Sequence, residues 1–511
     1  MSTLEVLLIA LVCFIIVYTL VLRRSPKNLP PGPRSLPIVG NIFDFPGSKH
    51  VYKDFLEYRE KYGDVVRLSF GPSRHFILVF GHKAIHKGLI EQGNDFKFRP
   101  TNLYLINKLF HGKGVLFGNG EIHQKLRKFT LDTLKAFGLG KKILEERIQD
   151  EARILADELK SYGGQPRDIR KTLKKAVANI ISGIVYGSRF DYADPDFLLL
   201  IKNIEAIFTT IAGHLPENFW PFLAYLPSSK TRQVLNAAGD MSKYARRRIK
   251  EHRETFNPNN IRDFVDLYLK AEKQGDEEVV NEENMFRDII DLSIAGTEST
   301  ATALAWAILY LMNNPDVQDK CQKEIIEHIG SGRAVSLSDK EKLQYLDATI
   351  KETLRLASIV PLGVPHTVLK DTQFEGYTIP KDSTIIFHVN SVLTDPNIWK
   401  MPDEFNPERF LTEEGKKKKK ELFVPFLLGL RSCPGKPLAT TELFLFLGNL
   451  LQRFTFKIPP GCPTPSVERV HTGLRFKTGR FSKATHTLFG SLRHGHTPGD
   501  LDWLKTPHCK I

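Results

Sequence analysis

The chain has few cysteines for its length. Five stand among 511 residues, at Cys13, Cys321, Cys433, Cys462 and Cys509. Their odd number, wide spacing and lack of any C-x-x-C pair exclude a disulfide-stapled secreted domain and a zinc module. The composition also excludes a low-complexity protein, since 41% of the residues are hydrophobic and 25% are charged, as in globular proteins. The sequence therefore predicts a large globular protein in a reducing compartment.

Charged residues are absent from Val6 to Leu22, which reads VLLIALVCFIIVYTLVL. These 17 positions just reach the lower limit for a membrane-spanning helix. The alternative, a cleavable signal peptide, would need a shorter apolar stretch and a small-residue cleavage site. No Lys or Arg precedes the run and three follow it, so the positive-inside rule places the rest of the chain in the cytosol. We predict a transmembrane anchor at 1–22 and a proline-rich linker at 23–50.

No repeat and no Pro/Gly/Ser-rich gap interrupts the chain from Val51 to Phe481. Helical patterns dominate, and the proline-free stretch Glu282 to Asn313 predicts one helix about 45 Å long. Strand signals are short and lie near Val65 to Leu78 and Thr378 to Asn390. We therefore predict a single mainly α domain with minor β structure over 51–481.

Positive charge exceeds negative charge, with a formal net charge of +14. This excess favours an anionic membrane face, an acidic protein or nucleic acid as a partner. The run Lys416 to Lys420 predicts a solvated loop, with attraction to anionic lipid or an acidic protein as the alternative. After Phe476 the sequence has no clear period, so we predict a flexible tail at 482–511.

The segment FVPFLLGLRSCPGKPLATTEL carries the clearest chemical signal. It places Cys433 between a glycine-rich turn and an apparent helix start, and both the helix N-terminus and nearby cations predict a lowered thiol pKa. A thiolate needs an electrophile, a disulfide partner or a metal, and the apolar residues before it suit a buried metal complex. Gly429 and Gly435 allow close approach of a flat group, and Arg431 can face a propionate. A buried structural cysteine is the alternative.

A phosphate-binding loop does not fit this segment. The spacing from Gly429 to Gly435 is one residue too long, and Pro437 stands where such a loop has Ser or Thr.

The same segment resembles the haem-thiolate signature F-x-x-G-x-R-x-C-x-G of the cytochrome P-450 superfamily. Its fixed positions are matched by Phe426, Gly429, Arg431, Cys433 and Gly435. The motifs E-x-x-R, at Glu352 to Arg355, and P-E-R-F, at Pro407 to Phe410, occur in the family's order. The resemblance covers Pro30 to Phe481, and the sequence is most similar to the microsomal family-2-type enzymes.

This resemblance implies the cytochrome P-450 fold, a single large haem domain behind an N-terminal transmembrane helix. It implies haem b as cofactor, with Cys433 as the axial iron ligand. Phe426 and Gly435 would flank the cofactor, and Glu352, Arg355 and Arg409 would form a structural charge network. The implied partners of the haem propionates are Arg99, Arg127, His366 and Arg431, with His123 in place of the Trp usual in the pattern W-x-x-x-R.

The predicted long helix contains Ala295-Gly296-Thr297-Glu298-Ser299-Thr300 near its middle. Ser and Thr side chains can bond carbonyls one turn back and bend a helix, which opens a groove. The resemblance implies that an acid and an alcohol here relay protons during oxygen activation. Glu298 takes the acid position, Ser299 falls where Thr is usual, and the neighbouring Thr300 is an alternative hydroxyl.

The resemblance thus implies a membrane-anchored monooxygenase that inserts one atom of dioxygen into a fatty acid, steroid or xenobiotic. Electrons would come from NADPH through NADPH-cytochrome P-450 reductase, with cytochrome b5 as a further donor. We predict the endoplasmic reticulum membrane as its location, with the catalytic domain in the cytosol and no nucleic-acid partner. Two alternatives remain: a reductase-independent haem-thiolate isomerase or dehydratase, suggested by Ser299, and a silent haem-binding pseudoenzyme, suggested by His123 and the unusual C-terminus.

Overall fold

A computed structural model describes most of the chain. The described residues are 2–22, 28–36, 39–44, 51–70, 74–136, 142–211, 216–226, 230–274, 281–467, 470–472, 475–477 and 489–492. The α-helices are α1 (Thr3–Leu22), α2 (Val51–Tyr62), α3 (His82–His86), α4 (Gly93–Phe96), α5 (Tyr104–Phe110), α6 (Gly114–Phe117), α7 (Gly120–Ala136), α8 (Lys142–Ser161), α9 (Arg170–Tyr186), α10 (Pro195–Ile211), α11 (Lys230–Thr255), α12 (Phe264–Glu272), α13 (Glu282–Asn313), α14 (Pro315–His328), α15 (Gln344–Ala357), α16 (Asn390–Leu393), α17 (Glu413–Leu422) and α18 (Lys436–Arg453). The strands are β1 (Val65–Ser69), β2 (His75–Val79), β3 (His366–Thr367), β4 (Thr372–Phe374), β5 (Tyr377–Ile379), β6 (Thr384–Phe387), β7 (Phe454–Lys457), β8 (Val470–Thr472), β9 (Arg475–Lys477) and β10 (Phe489–Leu492).

The long helix α13 has the bounds that the sequence predicts and passes through the largest hydrophobic core. It begins where the Asn281 side chain accepts a hydrogen bond from the Asn284 amide, which satisfies a free N–H of the first turn. It packs closely against α9 because Gly296 has no side chain. A Cβ on Gly296 would lie 2.5 Å from Cδ1 of Ile181. The fold is therefore mainly helical, as predicted, and is organised around one central rod.

The main sheet is small and has the order β1-β2-β6-β3. β2 pairs antiparallel with β1 and parallel with β6, in a register that places Ile77 beside Ile385. Both isoleucines are fully buried in a second hydrophobic cluster beside the helical core. The sheet thus brings two predicted strand regions, far apart in the chain, into one layer.

The lysine run is helical, and the prediction of a loop is wrong. It lies in α17, where the Thr412 hydroxyl accepts a hydrogen bond from the Gly415 amide at 3.0 Å. Glu413 and Glu414 stand in the first turn and pair with Lys416 and Lys418, each at 2.6 Å. This cap and these pairs stabilise a helix that the repeated lysines alone do not indicate.

The described part of the proline-rich segment lies against the sheet. The Arg67 amide donates to the Pro31 carbonyl at 2.8 Å, and a Cβ on Gly32 would lie 1.9 Å from the Arg67 carbonyl oxygen. Only glycine therefore fits at position 32. The prediction of a linker over 23–50 also includes 23–27, 37–38 and 45–50, which lie outside the described residues.

The two ends of the chain differ in how much is described. In α1 the apolar side chains from Leu4 to Val17 are largely exposed. Among the described residues, we find no helix that meets both the length and the apolarity needed to cross a bilayer. At the other end, β10 pairs antiparallel with β7. The rest of 482–511 lies outside the described residues, and for it the flexible tail stays a prediction.

Candidate active site

An internal cavity of about 310 Å³ lies between α13 and the loop that precedes α18. We call residues 424–435 the cysteine loop. Of the eleven residues predicted for catalysis and haem binding, eight line the cavity: Arg99, Arg127, Ser299, Thr300, Phe426, Arg431, Cys433 and Gly435. Three others, His123, His366 and Glu298, are not part of the described cavity wall. The structure therefore collects most of the predicted site around one space.

The cysteine loop is held in a tight conformation. The Cys433 amide donates to the Phe426 carbonyl at 2.9 Å, which closes the loop on itself. Leu427 and Gly429 have φ of 60° and 72°, in the left-handed region that favours glycine. A Cβ on Gly429 would lie 2.1 Å from the carbonyl oxygen of Leu89. The glycine of the motif is thus required both by backbone conformation and by a close neighbour.

Cys433 carries a free thiol, and its exposed surface faces the cavity that it lines. Burial among protein atoms raises its pKa, while the Gly435 and Lys436 amides and the charge of Arg127 act in the opposite direction. The prediction of a lowered thiol pKa is therefore wrong in its net direction. The helix start and the nearby cation were correctly named, but burial outweighs them. A thiolate at this position needs a bound cation, such as a metal ion, to stabilise it.

Three arginines converge at one side of the cavity. Among the described residues, neither Arg99 nor Arg127 nor Arg431 forms an ion pair with a carboxylate. Burial lowers the pKa of Arg99, and the neighbouring Arg431 and Arg127 lower it further. Burial and Arg127 lower the pKa of Arg431 to about 10. Unpaired, mutually repelling cations in a buried site indicate space for an anionic group.

Backbone carbonyls hold these arginines in place. Arg99 Nη1 donates to the carbonyls of Val364 and Pro365, both at 2.9 Å. Arg431 Nη2 donates to the Gly118 carbonyl at 2.6 Å. The cations are thus fixed before any anion binds.

His123 contacts Arg431 directly. The distance from Arg431 Nη1 to His123 Nε2 is 2.5 Å, and the same Nε2 lies 3.1 Å from the Val115 carbonyl oxygen. Burial, followed by the charge of Arg431, lowers the pKa of His123 to about 3, so the ring is neutral. Because a guanidinium can only donate and a carbonyl can only accept, Nε2 orients Arg431 when it carries no proton and bonds Val115 when it carries one.

His366 is fully buried beside Arg99. Its Nδ1 lies 2.5 Å from the Phe96 carbonyl oxygen, to which it donates. Its Nε2 has no hydrogen-bond partner among the described residues. Burial and Arg99 lower the pKa of this imidazole well below its usual value, so Nε2 is an unpaired acceptor rather than a cation.

The opposite wall of the cavity is the middle of α13. Ser299 Oγ donates to the Ala295 carbonyl at 2.7 Å, the bond one turn back that the sequence predicts. Glu298 points elsewhere: Lys174 Nζ of α9 lies 2.9 Å from its Oε1. Burial raises the pKa of Glu298 even though Lys174 opposes the shift. The two alcohols therefore face the cavity, and the acid is paired outside it.

Two buried carboxyl groups near this wall are not predicted from the sequence. Glu442 of α18 is fully buried, and burial raises its pKa well above the usual value against a hydrogen bond from Thr300. Asp291 of α13 lines the cavity. The sequence does indicate that Glu442 is buried, because Leu438, Glu442 and Leu445 recur at helical spacing with apolar neighbours.

The predicted structural charge network is present behind the cysteine loop. Arg355 Nε lies 2.7 Å from Glu352 Oε2, and Arg409 Nε lies 2.9 Å from Glu352 Oε1. Glu352 and Arg355 are fully buried. Arg355 also donates to the Leu393 carbonyl at 2.8 Å, so the network joins α15 to the chain segments that lead into the loop.

These features together fit a flat, largely apolar cofactor with anionic substituents and a metal centre. The walls are mostly aliphatic and aromatic, a cysteine sulfur faces the space, and the buried arginines lack anionic partners. A mainly helical fold with this arrangement defines the class of haem-thiolate enzymes.

Comparison with known proteins gives the same class. The family model of Cytochrome P450 matches residues 30–481. Cytochrome P450 2B4 of Oryctolagus cuniculus is 40% identical over 449 residues, which cover 86% of this chain and 91% of that protein. Cytochrome P450 2B2 of Rattus norvegicus is 40% identical over 445 residues, covering 85% and 90%. Cytochrome P450 2J3 of Rattus norvegicus is 39% identical over 464 residues, covering 89% and 91%.

The chain therefore belongs to the cytochrome P450 family, and it is similar to the microsomal family-2 type. Members of this family are oxidoreductases that bind haem through a cysteine thiolate. The protein is thus a P450 monooxygenase with haem as its cofactor.

Proposed function

We propose that this protein is a membrane-attached monooxygenase that inserts one atom of dioxygen into a lipophilic substrate. The observation that carries the proposal is the placement of the Cys433 sulfur and the hydroxyl-bearing turn of α13 on the wall of one apolar cavity. Cys433 would hold the haem iron through its sulfur. Haem would supply the iron chemistry that activates oxygen.

Different residues around the cavity bind different parts of the cofactor. Arg99, Arg127 and Arg431 bind the propionates, since their charges have no carboxylate partner among the described residues. The buried ring of His366 lies beside Arg99, and its Nε2 would bond a propionate only after gaining a proton. His123 orients Arg431 when its Nε2 carries no proton. Phe426 and Gly435 flank the cofactor beside Cys433.

Residues in the middle of α13 deliver the protons. Ser299 or Thr300 passes protons within the cavity, since both hydroxyl-bearing residues line it. Glu298 keeps the acid role that the family pattern implies. Its contact with Lys174 must then open before the acid can exchange protons with the cavity.

The substrate is lipophilic because the wall away from the arginines is apolar. Its aliphatic and aromatic members include Ile106, Phe117, Ile181 and Phe208. Such a surface suits a fatty acid, a steroid or an apolar xenobiotic.

The rest of the molecule supports attachment to a membrane, and the family supports a reductase as the electron donor. The exposed apolar side chains of α1 support its role as an anchor in the endoplasmic reticulum membrane, with the catalytic domain in the cytosol. NADPH electrons then arrive through NADPH-cytochrome P450 reductase, with cytochrome b5 as a further donor.

The test of the axial ligand is Cys433→Ser, with Cys462→Ser as the matched control. Wild type and the control, reduced and exposed to carbon monoxide, should show the long-wavelength Soret band of a thiolate complex, and Cys433→Ser should lose it. An imidazole-type band from folded wild-type protein would overturn the assignment. NADPH consumption coupled to product with added reductase tests the monooxygenase reaction itself.

A further inference from the structure

Two histidines outside the cavity stand four residues apart on one short helix. His82 and His86 are the first and last residues of α3, and side chains with this spacing are neighbours on one helix face. Their ring centroids are 5.7 Å apart. Two imidazoles that share one zinc ion have centroids roughly 5 to 6 Å apart, because each ligating nitrogen lies about 2.0 Å from the metal. The spacing of the pair therefore suits a shared metal ion.

A backbone oxygen orients the ring of His82. Its Nε2 lies 3.1 Å from the Glu421 carbonyl oxygen, and because a carbonyl can only accept, Nε2 carries the proton. Burial, followed by the charge of His86, lowers the pKa of His82, so the ring is neutral at pH 7. Its Nδ1 therefore has an available lone pair.

A carboxylate orients the ring of His86. Its Nδ1 lies 3.2 Å from Oε1 of Glu91, which accepts the Nδ1 proton. Glu91 ends the π-helical turn Lys87–Glu91, and the i, i+5 repeat of such a turn brings residue 91 over residue 86. The lone pair of the neutral ring then lies on Nε2.

Both histidines thus have the surroundings of metal ligands. A ligating His donates its other ring N–H to a backbone carbonyl or a carboxylate, which fixes its tautomer and its orientation. The zinc motif H-E-x-x-H uses the same i, i+4 placement on a helix.

The pair is also accessible to an ion from solvent. The side chains of His86 and Glu91 are 41% and 59% exposed. The neighbouring positive charge of Lys87 is balanced by Glu375, whose Oε1 lies 2.9 Å from Nζ. A cation can therefore approach the two rings.

We propose that His82 and His86 form a binding site for a divalent transition metal ion such as Zn²⁺, with Glu91 as the residue that orients His86. Imidazole nitrogens suit zinc and copper, whereas Mg²⁺ and Ca²⁺ prefer oxygen ligands. Lys83 stands where the motif H-E-x-x-H has its general base, so the site binds metal and does not hydrolyse a substrate.

This site adjoins the cysteine loop from the side away from the cavity. Its three residues are not part of the described cavity wall. Glu421, which bonds His82, lies near the end of α17, three residues before that loop begins. A bound ion would hold this contact in place and raise the unfolding temperature of the protein. The inference goes beyond the proposed function and does not depend on it, since zinc binding here needs no haem.

The experiment is a zinc titration of the full-length protein in competition with a chromophoric chelator. The variants are His82→Ala, His86→Ala and Glu91→Ala. The matched control is His328→Ala, at an exposed position of α14 with no other histidine within four residues. Wild type and the control should bind one zinc ion more than either histidine variant, and Glu91→Ala should bind that ion about 10- to 100-fold more weakly.

Zinc should also raise the unfolding temperature of wild type and the control by more than that of the histidine variants. Equal zinc stoichiometry and affinity in wild type and both histidine variants would overturn the inference. Loss of the thiolate band in wild type would instead overturn the proposed function and leave the zinc result unchanged.

A measurement on wild type alone covers variants that fail to fold. Zinc-edge X-ray absorption of the protein with one equivalent of Zn²⁺ should show two imidazole nitrogens at about 2.0 Å. A spectrum without imidazole ligands, or with sulfur at about 2.3 Å, would refute the site.

Discussion

Ser299 and Thr300 stand next to each other on the cavity wall, but their hydroxyl groups have different partners. Ser299 donates its proton to the Ala295 carbonyl at 2.7 Å, so it must break this bond before it can donate into the cavity. Thr300 shares a hydrogen bond with the buried Glu442. The two alcohols are therefore not equivalent as proton donors.

We expect Ser299→Ala to raise the fraction of NADPH electrons lost as hydrogen peroxide, because one route for protons is removed. Ser299→Thr should keep or improve coupling, since the added methyl restricts the rotamer. The double change of Ser299 and Thr300 to Ala should lose most of the assistance from a positioned acid, which is worth about 10²- to 10⁴-fold. The measurement is product and peroxide formed per NADPH.

The control for this series is Thr297→Ala, one residue before Glu298 on a buried part of α13 that is not in the described cavity wall. It should leave coupling unchanged. An unchanged product yield in the double variant, with haem content and substrate binding intact, would exclude both alcohols and leave water beside Glu298 as the proton path.

Single residues also show what a sequence can and cannot predict about the site. The motif spacing was sufficient to locate Cys433, because the loop and the helix start are local features. It gave the wrong direction for the thiol pKa, since burial depends on residues far away in the chain. The contact of Glu298 with Lys174 was missed for the same reason: each lies on a different helix, and only the crossing of α9 and α13 brings them together.

At the scale of elements, α13 also holds the short helix α6 against the cavity. Asp291 Oδ2 accepts a hydrogen bond from the Leu116 amide at 2.8 Å. A Cβ on Gly114 would lie 2.4 Å from the same oxygen, so this contact requires glycine. Because Leu116 and Phe117 line the cavity, the carboxyl group fixes part of the substrate wall.

The burial of Asp291 and of its neighbour Asp288 should make stability depend on pH. Burial raises the pKa of Asp291 to about 7, and burial together with the charge of Asp291 raises the pKa of Asp288 well above its usual value. Both folded-state values exceed those of the unfolded chain. The stabilisation is therefore complete below pH ~4 and is lost as the pH rises, through about 7 for Asp291 and through higher values for Asp288.

We expect Asp288→Asn to make the apparent free energy of unfolding fall less steeply between pH 5 and pH 8, by about 1.4 kcal/mol per pH unit for one proton. Urea unfolding at several pH values measures this slope. Asp150→Asn, at an exposed position on α8, is the control and should keep the wild-type slope. An equal slope in Asp288→Asn and wild type would contradict a protonated Asp288.

The elements differ in how far the sequence could predict them. The bounds of α13 follow from a long proline-free pattern between a capping asparagine and Pro315. The helix α17 was missed because its stability comes from the Thr412 cap and from pairs with Glu413 and Glu414, which outweigh repulsion among the lysines. The parallel pairing of β2 with β6 has no local signal, since it is decided by how the intervening helices pack.

At the scale of the whole molecule, two described segments each carry several exposed apolar side chains close together in the chain. One is α1, where most side chains from Leu4 to Val17 are exposed. The other is the 3₁₀ segment Pro221–Tyr225, where Phe222 and Tyr225 are 65% and 76% exposed. Exposed apolar groups of this size favour contact with a lipid surface. The two places offer separate attachments, and only the first lies outside the part of the chain that forms the cavity.

Deletion of residues 1–22 should therefore weaken membrane attachment strongly while the haem-bound domain stays folded. Leu11→Arg in the full chain is the matched variant: it keeps the length of α1 but places a charge near its middle, at a cost of about 2.5 to 3.5 kcal/mol for a membrane-inserted helix. After a carbonate wash of the membranes, the fraction released into the supernatant should be larger for both variants than for wild type. Both should keep the carbon monoxide spectrum of wild type, because no residue of α1 lines the described cavity. Residual binding is expected from Phe222 and Tyr225. Loss of the spectrum in the shortened protein would show instead that the N-terminal helix is part of the folded domain.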